Sequence, residues 1–255
     1  MLSEREIERY SRQLVLPEWS GAVQQRLKDA TAIVIGAGAL GSPAATYLAC
    51  AGVGRIGIVD GDWVEISNLQ RQPLHYTPDI DAQKSESAAQ KLGVLNTEIM
   101  VEPYPVEVDP DNAAAIVAGA DVVLDCTDSF AARYLINDAC CAERIPLVEG
   151  GALGFGGIVF AIRPGASACY RCAFPTAPAN APTCSDVGML GAAAGVIGSL
   201  QALEALKLLA GVGRLPGDRI LQFDGLTLEQ TLVQTSRRRD CSACAGLAAS
   251  QESRA

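Results

Sequence analysis

Residues 31–60 read TAIVIGAGALGSPAATYLACAGVGRIGIVD, and this stretch decides the fold. Ala32, Ile33, Val34 and Ile35 form a short apolar, largely β-branched run, the composition of a strand covered on both faces. Gly36, Gly38 and Gly41 then spell G-x-G-x-x-G. Residues 40–51 have helical character, residues 55–59 form a second apolar strand, and Asp60 closes the unit. Strand, glycine turn, helix, strand and terminal acid in this order are the pattern of a nucleotide-binding βαβ unit. The glycines let backbone N–H groups approach phosphate oxygens, and the positive end of the helix favours their charge. Asp60 stands where a carboxylate can accept hydrogen bonds from ribose hydroxyls. A glycine turn that binds nothing would share the three glycines but has no need of the flanking strand, helix and acid. The fingerprint does not distinguish NAD from ATP.

The chain has 255 residues, 49% of them hydrophobic, enough for one large α/β domain with a full core. Its net charge of −9 argues against nucleic acid or an anionic membrane as the main partner. Any ATP site is therefore a local cationic pocket on an acidic protein. No uninterrupted apolar run reaches about 18 residues, so no membrane span is expected. Residues 1–19 carry charges throughout and contain no apolar h-region; no signal peptide is expected, and a cytoplasmic location follows as the expectation. Of the nine cysteines, four form two C-x-x-C pairs, which in a chain without export signals suggest metal or redox chemistry. Cys50, Cys126, Cys140 and Cys141 lie in apolar contexts and read as small buried hydrophobes.

Outward from the opening unit, Ser3-Glu4-Arg5-Glu6 is a capping box that starts a helix with Ile7, Tyr10 and Leu14 as its apolar stripe. A second helix is expected over 20–28. Residues 61–76 read as an ordered loop with a short helical turn, 81–92 as helix and 98–106 as strand. Asp109-Pro110 reads as an N-cap with proline at the first helical position, opening a helix to about 118. Strands are expected at 121–125 and 146–148, with a helix at 130–142 between them. The pattern changes near Gly150: residues 150–157 are glycine-rich, 158–163 form a strand, and 175–182 (PTAPANAP) look extended. A long helical segment occupies 188–210, and 219–223 with 227–235 make an antiparallel pair through Asp224-Gly225. The expected fold is α/β: a Rossmann-like nucleotide-binding fold whose mixed sheet continues into an antiparallel C-terminal half. It divides into N-terminal helices (1–29), a nucleotide-binding half (30–150), a second half (151–246) and a frayed tail (247–255), with no linker that would separate two domains.

Two features carry chemistry beyond the fingerprint. Cys169-Tyr170-Arg171-Cys172 and Cys241-Ser242-Ala243-Cys244 supply four thiolates, the donor set of a closed, structural, tetrahedral Zn²⁺ site. Such a site ties the C-terminal part of the chain to the loop after Arg163. Two local disulfides, a redox C-x-x-C and an iron–sulfur cluster are the alternatives. Downstream of Asp60, Asn68, Arg71 and Lys84 gather on the side where the nucleotide sits. An NAD diphosphate is held by the helix terminus and needs no such cluster, whereas a triphosphate does. Arg71 can grip phosphate oxygens in a fork and Lys84 can neutralise developing charge. Each of these residues taken singly reads as solvated surface. The single histidine, His75, reads as a surface or packing residue.

E-R-Y-S-R-Q at 8–13, S-N-L-Q-R-Q at 67–72, D-C-T-D at 125–128, the glycine fingerprint and the paired C-x-x-C together resemble the ubiquitin-activating-enzyme-like family, in particular its bacterial MoeB/ThiF/HesA branch. The resemblance covers nearly all of residues 1–246. It implies ATP-dependent adenylation of the C-terminal Gly-Gly carboxylate of a small ubiquitin-fold sulfur carrier of the MoaD or ThiS kind, with release of pyrophosphate, by a homodimer. It assigns the phosphates to Gly36, Gly38 and Gly41, and the ribose side to Asp60 and Asp62. Asn68, Arg71 and Lys84 would hold the triphosphate, Asp128 would hold Mg²⁺, and Arg12 would reach in from the partner subunit. Cys169, Cys172, Cys241 and Cys244 become the Zn²⁺ ligands, and residues 151–246 the carrier-binding half. A carboxylate is already a nucleophile at pH 7, so the attack on the α-phosphorus needs no general base and rests on charge neutralisation and alignment.

Cys184, in Pro182-Thr183-Cys184-Ser185, occupies a place where the resembling proteins carry a cysteine in a T-C segment. In ThiF-like members it attacks the adenylate or links to the carrier, and in MoeB-like members it is dispensable. No cation adjoins it here to lower its pKa, and 175–182 departs from both relatives in being rich in alanine and proline. No rhodanese-like domain follows residue 246, so the sulfur would come from another protein, a cysteine desulfurase or a rhodanese. Two other readings share the fold: an NAD(P)-binding oxidoreductase, and a non-catalytic zinc-bound partner subunit.

Overall fold

The computed structural model describes residues 1–177, 184–213 and 218–247, with the side chains of Cys184 and Ser185 outside that description. Three helices open the chain: α1 (Glu4–Arg9), α2 (Ser11–Leu14) and α3 (Gly21–Asp29). Strands and helices then alternate through β1 (Thr31–Ile35), α4 (Gly41–Ala51), β2 (Arg55–Val59), α5 (Lys84–Leu95), β3 (Met100–Tyr104), α6 (Ala113–Val117), β4 (Val122–Asp125) and α7 (Phe130–Glu143). The second half contributes β5 (Leu147–Leu153), β6 (Gly156–Ile162), the short α8 (Tyr170–Ala173) and α9 (Cys184–Val187), the long α10 (Gly191–Ala210), and the hairpin β7 (Arg219–Asp224) with β8 (Glu229–Gln234).

The described strands form one sheet in the order β3-β2-β1-β4-β5-β6-β7-β8. The first five pair in parallel and the rest antiparallel, so the expected mixed sheet is the one observed. Alternation along β1 divides the core. Ala32 and Val34 face a layer built on Leu27, Leu48, Leu92 and Ile197, from α3, α4, α5 and α10. Ile33 and Ile35 face the opposite layer with Val117, Ile136 and Tyr170, from α6, α7 and α8. Both faces of the parallel strands are thus covered, which is why those strands read as continuous apolar runs. The chain crosses from the parallel to the antiparallel half at β4 and β5, and a ligand cleft is expected beyond the carboxyl ends of the parallel strands.

Local chemistry explains the element ends. Ser3 Oγ accepts from the Glu6 N–H at 3.2 Å while Glu6 Oε2 accepts from the Ser3 N–H at 2.6 Å, completing the capping box. The stripe continues only in part: Tyr10 is buried, receiving a hydrogen bond from Asn96 Nδ2 at 2.9 Å, but Ile7 is exposed and the helix breaks at Tyr10. Asp81 sits at φ 68°, so the following helix starts at Lys84 rather than at 81. Asp109 caps a turn, accepting from the Asp111 and Asn112 N–H groups, and α6 begins only at Ala113, later than the proline suggested. The glycine-rich 150–157 stretch is the end of β5, a turn and the start of β6: with almost no side chains the alternation that marks a strand is invisible there. Cys126, Cys140 and Cys141 are buried as expected, whereas Cys50 is exposed on α4. The extended reading of 175–182 and the frayed tail fall mainly on 178–183 and 248–255, outside the described residues.

α10 alone among the described helices is long and apolar enough to cross a membrane. In the fold it is a core helix against β4, β5 and β6. Its buried Gln201 explains how a polar residue survives there: Nε2 donates to the carbonyls of Asp125 at 2.7 Å and Val148 at 3.1 Å.

Candidate nucleotide and metal sites

The mouth of the βαβ unit is held by backbone constraints. Gly36 takes φ 97°, and a Cβ there would lie 2.7 Å from the Cys126 carbonyl oxygen. A Cβ on Gly41 would lie 1.8 Å from the Gly36 carbonyl oxygen, so the first turn of α4 packs directly on the glycine turn. Asp60 locks the turn from the next strand: Oδ2 accepts from the Ala37 N–H at 2.7 Å and Oδ1 from the Asp62 N–H at 2.9 Å. Burial raises the Asp60 carboxyl above its ordinary range, opposed by Lys84 and by those two amides. His75 props the turn from behind, its Nε2 2.9 Å from the Ala37 carbonyl oxygen and its Nδ1 2.9 Å from Ser87 Oγ. Burial lowers the His75 pKa, so the ring is neutral at pH 7, the packing role its context suggested.

These elements border a cleft of about 1380 Å³ lined by Gly36, Gly38, Asp60, Asp62, Arg71, Lys84 and Asp128. Arg71 Nη1 donates to the Ser67 carbonyl at 2.8 Å, which fixes the guanidinium at the rim. Lys84, at the first turn of α5, is buried, and its Nζ donates to Asp62 Oδ2 at 2.7 Å. Asp128 is exposed on the loop after β4. Three sequence candidates stand elsewhere. Gly41 packs beneath the turn, and Asn68 is buried with its Oδ1 accepting from the Glu65 N–H at 3.0 Å, an internal cap of the loop. Arg12 lies exposed on α2 and does not line the cleft of its own chain. Cys184 opens α9, and its side chain lies outside the described residues.

The same cleft is also lined from β5, β6 and β7, by Gly151, Gly154, Gly156 and Gly157 together with Phe155, Phe223 and Leu226, within the half assigned to carrier binding. The glycines quoted at 150–157 were the available signal. Unforeseen is a third lining cation, Arg133, whose Nε lies 3.2 Å from buried Glu149 Oε1. It meets Glu149 only when α7 crosses β5, which no local pattern reveals.

On the opposite face, Cys169, Cys172, Cys241 and Cys244 are all buried, with their sulfurs within 4.8 Å of one another. The Cys169–Cys241 separation is 3.5 Å, Cys172–Cys244 3.4 Å and Cys169–Cys172 3.8 Å. Four thiolates about 2.3 Å from a tetrahedral Zn²⁺ stand roughly 3.8 Å apart, so the cage fits that ion and offers it no open position. The Arg238 N–H points at Cys172 Sγ at 3.3 Å, a donor suited to a thiolate. Arg237 braces the cage by donating to the carbonyls of Gly165, Cys244 and Leu247. For Mg²⁺, the exposed Asp128 carboxylate lines the cleft, as do those of Asp62, Glu107, Asp109 and Asp224, and a hard cation held there would complete its shell with phosphate oxygens and water.

Comparison with known proteins bears on the whole chain. It is 47% identical over 246 residues to the adenylyltransferase and sulfurtransferase MOCS3 of Sus scrofa, an alignment covering 95% of this chain and 54% of that protein. The chain thus spans about half the length of its MOCS3 relatives. It is 42% identical over 245 residues to the SAMP-activating enzyme E1 of Haloferax volcanii, covering 95% of this chain and 90% of the relative. Among solved structures, E. coli MccB bound to MccA-N7isoASN superposes with TM-score 0.84 at 23% identity, over 96% of this chain and 75% of that one. The family model described as the ThiF family matches residues 10–243. With that match spanning nearly the full length and the cleft and cysteine cage in place, the chain belongs to the ThiF family.

Proposed function

We propose that this protein uses ATP to adenylate the C-terminal carboxylate of a small ubiquitin-fold sulfur carrier ending in Gly-Gly, releasing pyrophosphate. The observation that carries the reading is one cleft that joins two kinds of wall. One part has the glycine turn, Asp60, Arg71, Lys84 and Asp128, and the other is lined from β5, β6 and β7 by Gly151, Gly154, Gly156 and Gly157 with Phe155 and Phe223. The first part suits a triphosphate and the second suits a peptide tail without side chains. The two meet where a carboxylate would approach an α-phosphorus.

In this reading the turn amides and Arg71 hold phosphate oxygens, and Asp60 receives the ribose hydroxyls. Lys84 exchanges its Asp62 partner for the developing negative charge. Asp128 holds Mg²⁺, which supplies charge neutralisation at the phosphates. The attacking carboxylate is ionised, so no proton has to move, and rate comes from alignment and electrostatic stabilisation. Zn²⁺ in the Cys169, Cys172, Cys241 and Cys244 cage is structural. The working unit is a homodimer in which Arg12 completes the site of the second copy, located in the cytoplasm, with sulfur delivered by a separate desulfurase or rhodanese. An oxidoreductase reading would find no histidine in the cleft, since the sole one, His75, is sealed beneath the glycine turn.

The test is isotope exchange between ATP and pyrophosphate. Exchange is expected only with Mg²⁺ and a Gly-Gly-ended carrier, and the carrier should become AMP-linked. Tight NADH uptake by calorimetry with no heat from ATP would overturn the proposal.

A further inference from the structure

Arg133 lines the cleft beside Gly151 with no role assigned to it so far, and its surroundings are costly. Its guanidinium lies against Asp125 and Glu149, which are both fully buried and directly opposite one another on β4 and β5. Burial drives both carboxyls upward, Glu149 furthest, with Asp125 adding to that rise. Thr127 donates its backbone N–H at 2.9 Å and its hydroxyl at 2.7 Å to Asp125 Oδ1, which favours a charge on Asp125 over one on Glu149. Arg133 then balances one buried negative charge. Apolar side chains of similar volume would stabilise the fold as well as this ionic group does, so stability alone does not account for it.

What the group does is visible at Thr127. Asp125 takes that residue's N–H and hydroxyl, and Arg133 Nη2 donates to its carbonyl at 3.1 Å. The residue is gripped on both sides, and the next one is Asp128. Arg133 is itself backed by α8, which packs beside α7 on the same face of the sheet. The Tyr170 hydroxyl lies close enough to the guanidinium to interact with it, and Tyr170 stands between Cys169 and Cys172. Tyr170 is sealed in turn, with its N–H donating to Asn137 Oδ1 at 2.8 Å and its ring edge-on to Tyr134 at 5.3 Å.

We propose that Arg133 is a positioning residue: by holding the Thr127 carbonyl it fixes Asp128 in the cleft, and through Tyr170 it makes the first cysteine knuckle part of the support for the Mg²⁺-binding carboxylate. This rests on the adenylation reading only for the role of Asp128. The network is a contiguous run of contacts that leads from the cage, through α8 and α7 on one face of the sheet, to the cleft beyond the strand ends.

Calorimetry of ATP binding with and without Mg²⁺ tests it and needs no carrier protein. Arg133→Lys keeps the charge but loses the fork, and Tyr170→Phe removes a single hydroxyl while keeping the ring packed. Both variants are expected to bind metal-free ATP as the wild type does. The gain in affinity on adding Mg²⁺ should shrink by about tenfold or more in Arg133→Lys, the usual scale for an outer support of a metal ligand, and by less in Tyr170→Phe. Exchange kinetics should show the same split, with the Mg²⁺ half-saturation point raised and the KM for ATP at saturating Mg²⁺ nearly unchanged. A wild-type Mg²⁺ response in both variants would overturn the proposal, as would a loss that falls entirely on metal-free ATP binding. A wild-type protein that binds Mg²⁺-ATP but adenylates no carrier would sink the adenylation reading and leave this one standing.

Discussion

Arg71 and Lys84 reach the cleft from different segments, one tethered by a loop carbonyl and the other by Asp62. Replacing either with alanine should lower ATP–pyrophosphate exchange about a hundredfold or more, the scale for removing one preorganised charge contact. An unchanged exchange rate in both variants would refute their roles. His75 gives a prediction of a different kind. Burial lowers its folded-state pKa below 6.5. As pH falls below that value the unfolded chain takes up a proton that the folded ring resists, so stability drops, by up to about 1.4 kcal/mol per pH unit from this site. Urea unfolding of His75→Gln at pH 7.0 and 5.5 should show a shallower loss than the wild type. An equal or steeper loss would mean that the ring is charged in the fold. Most of these residues were legible beforehand because their signals are local: glycine spacing, an acid at a strand end, cations in one loop. Arg133 and Glu149 were not, and Asp125 was visible only as the first residue of D-C-T-D, without a role. They lie on α7, β5 and β4 and acquire meaning only when three elements meet.

Elements differ in how far their edges follow from sequence. β1, β2 and β4 read correctly because strands buried on both faces are apolar without interruption. The glycine-rich 150–157 stretch did not read as two strands, because glycine leaves no alternating faces to detect. The contact of α4 with the glycine turn allows a sharp test. Gly41→Ala puts a methyl group 1.8 Å from the Gly36 oxygen, so α4 must shift. A loss of about 3 kcal/mol or more is expected in chemical denaturation, with nucleotide binding lost as well. The cysteine cage links α8 to the segment after β8. A cross-link closing a loop of this size is worth about 4 kcal/mol. Chelation of the metal or Cys241→Ser should therefore lower Tm by roughly 10 °C. A melting curve indifferent to chelator would leave the cage without its proposed ion.

At the scale of the whole molecule, the doubly covered sheet with its antiparallel extension followed from the order of apolar runs and breaks. Partnership with a second copy was implied by the family resemblance alone, since the motif carrying Arg12 says nothing by itself of where its side chain ends. Its exposed position outside its own cleft gives that question a statistical form. Equal amounts of inactive Arg12→Ala and inactive Arg71→Ala protein, mixed and allowed to exchange subunits, should regain about a quarter of wild-type activity. Half of the dimers are then mixed, and each mixed dimer has one intact site. No recovery would place Arg12 in its own chain's chemistry or outside it altogether. The spacing of the cysteine cage has a consequence for biosynthesis. Two thiols precede α10 and the other two follow β8, so the ion cannot be enclosed until Cys244 has cleared the ribosome. The parallel half can fold during translation, but metal supply then governs whether newly made molecules mature or linger with an unanchored end exposed to proteases.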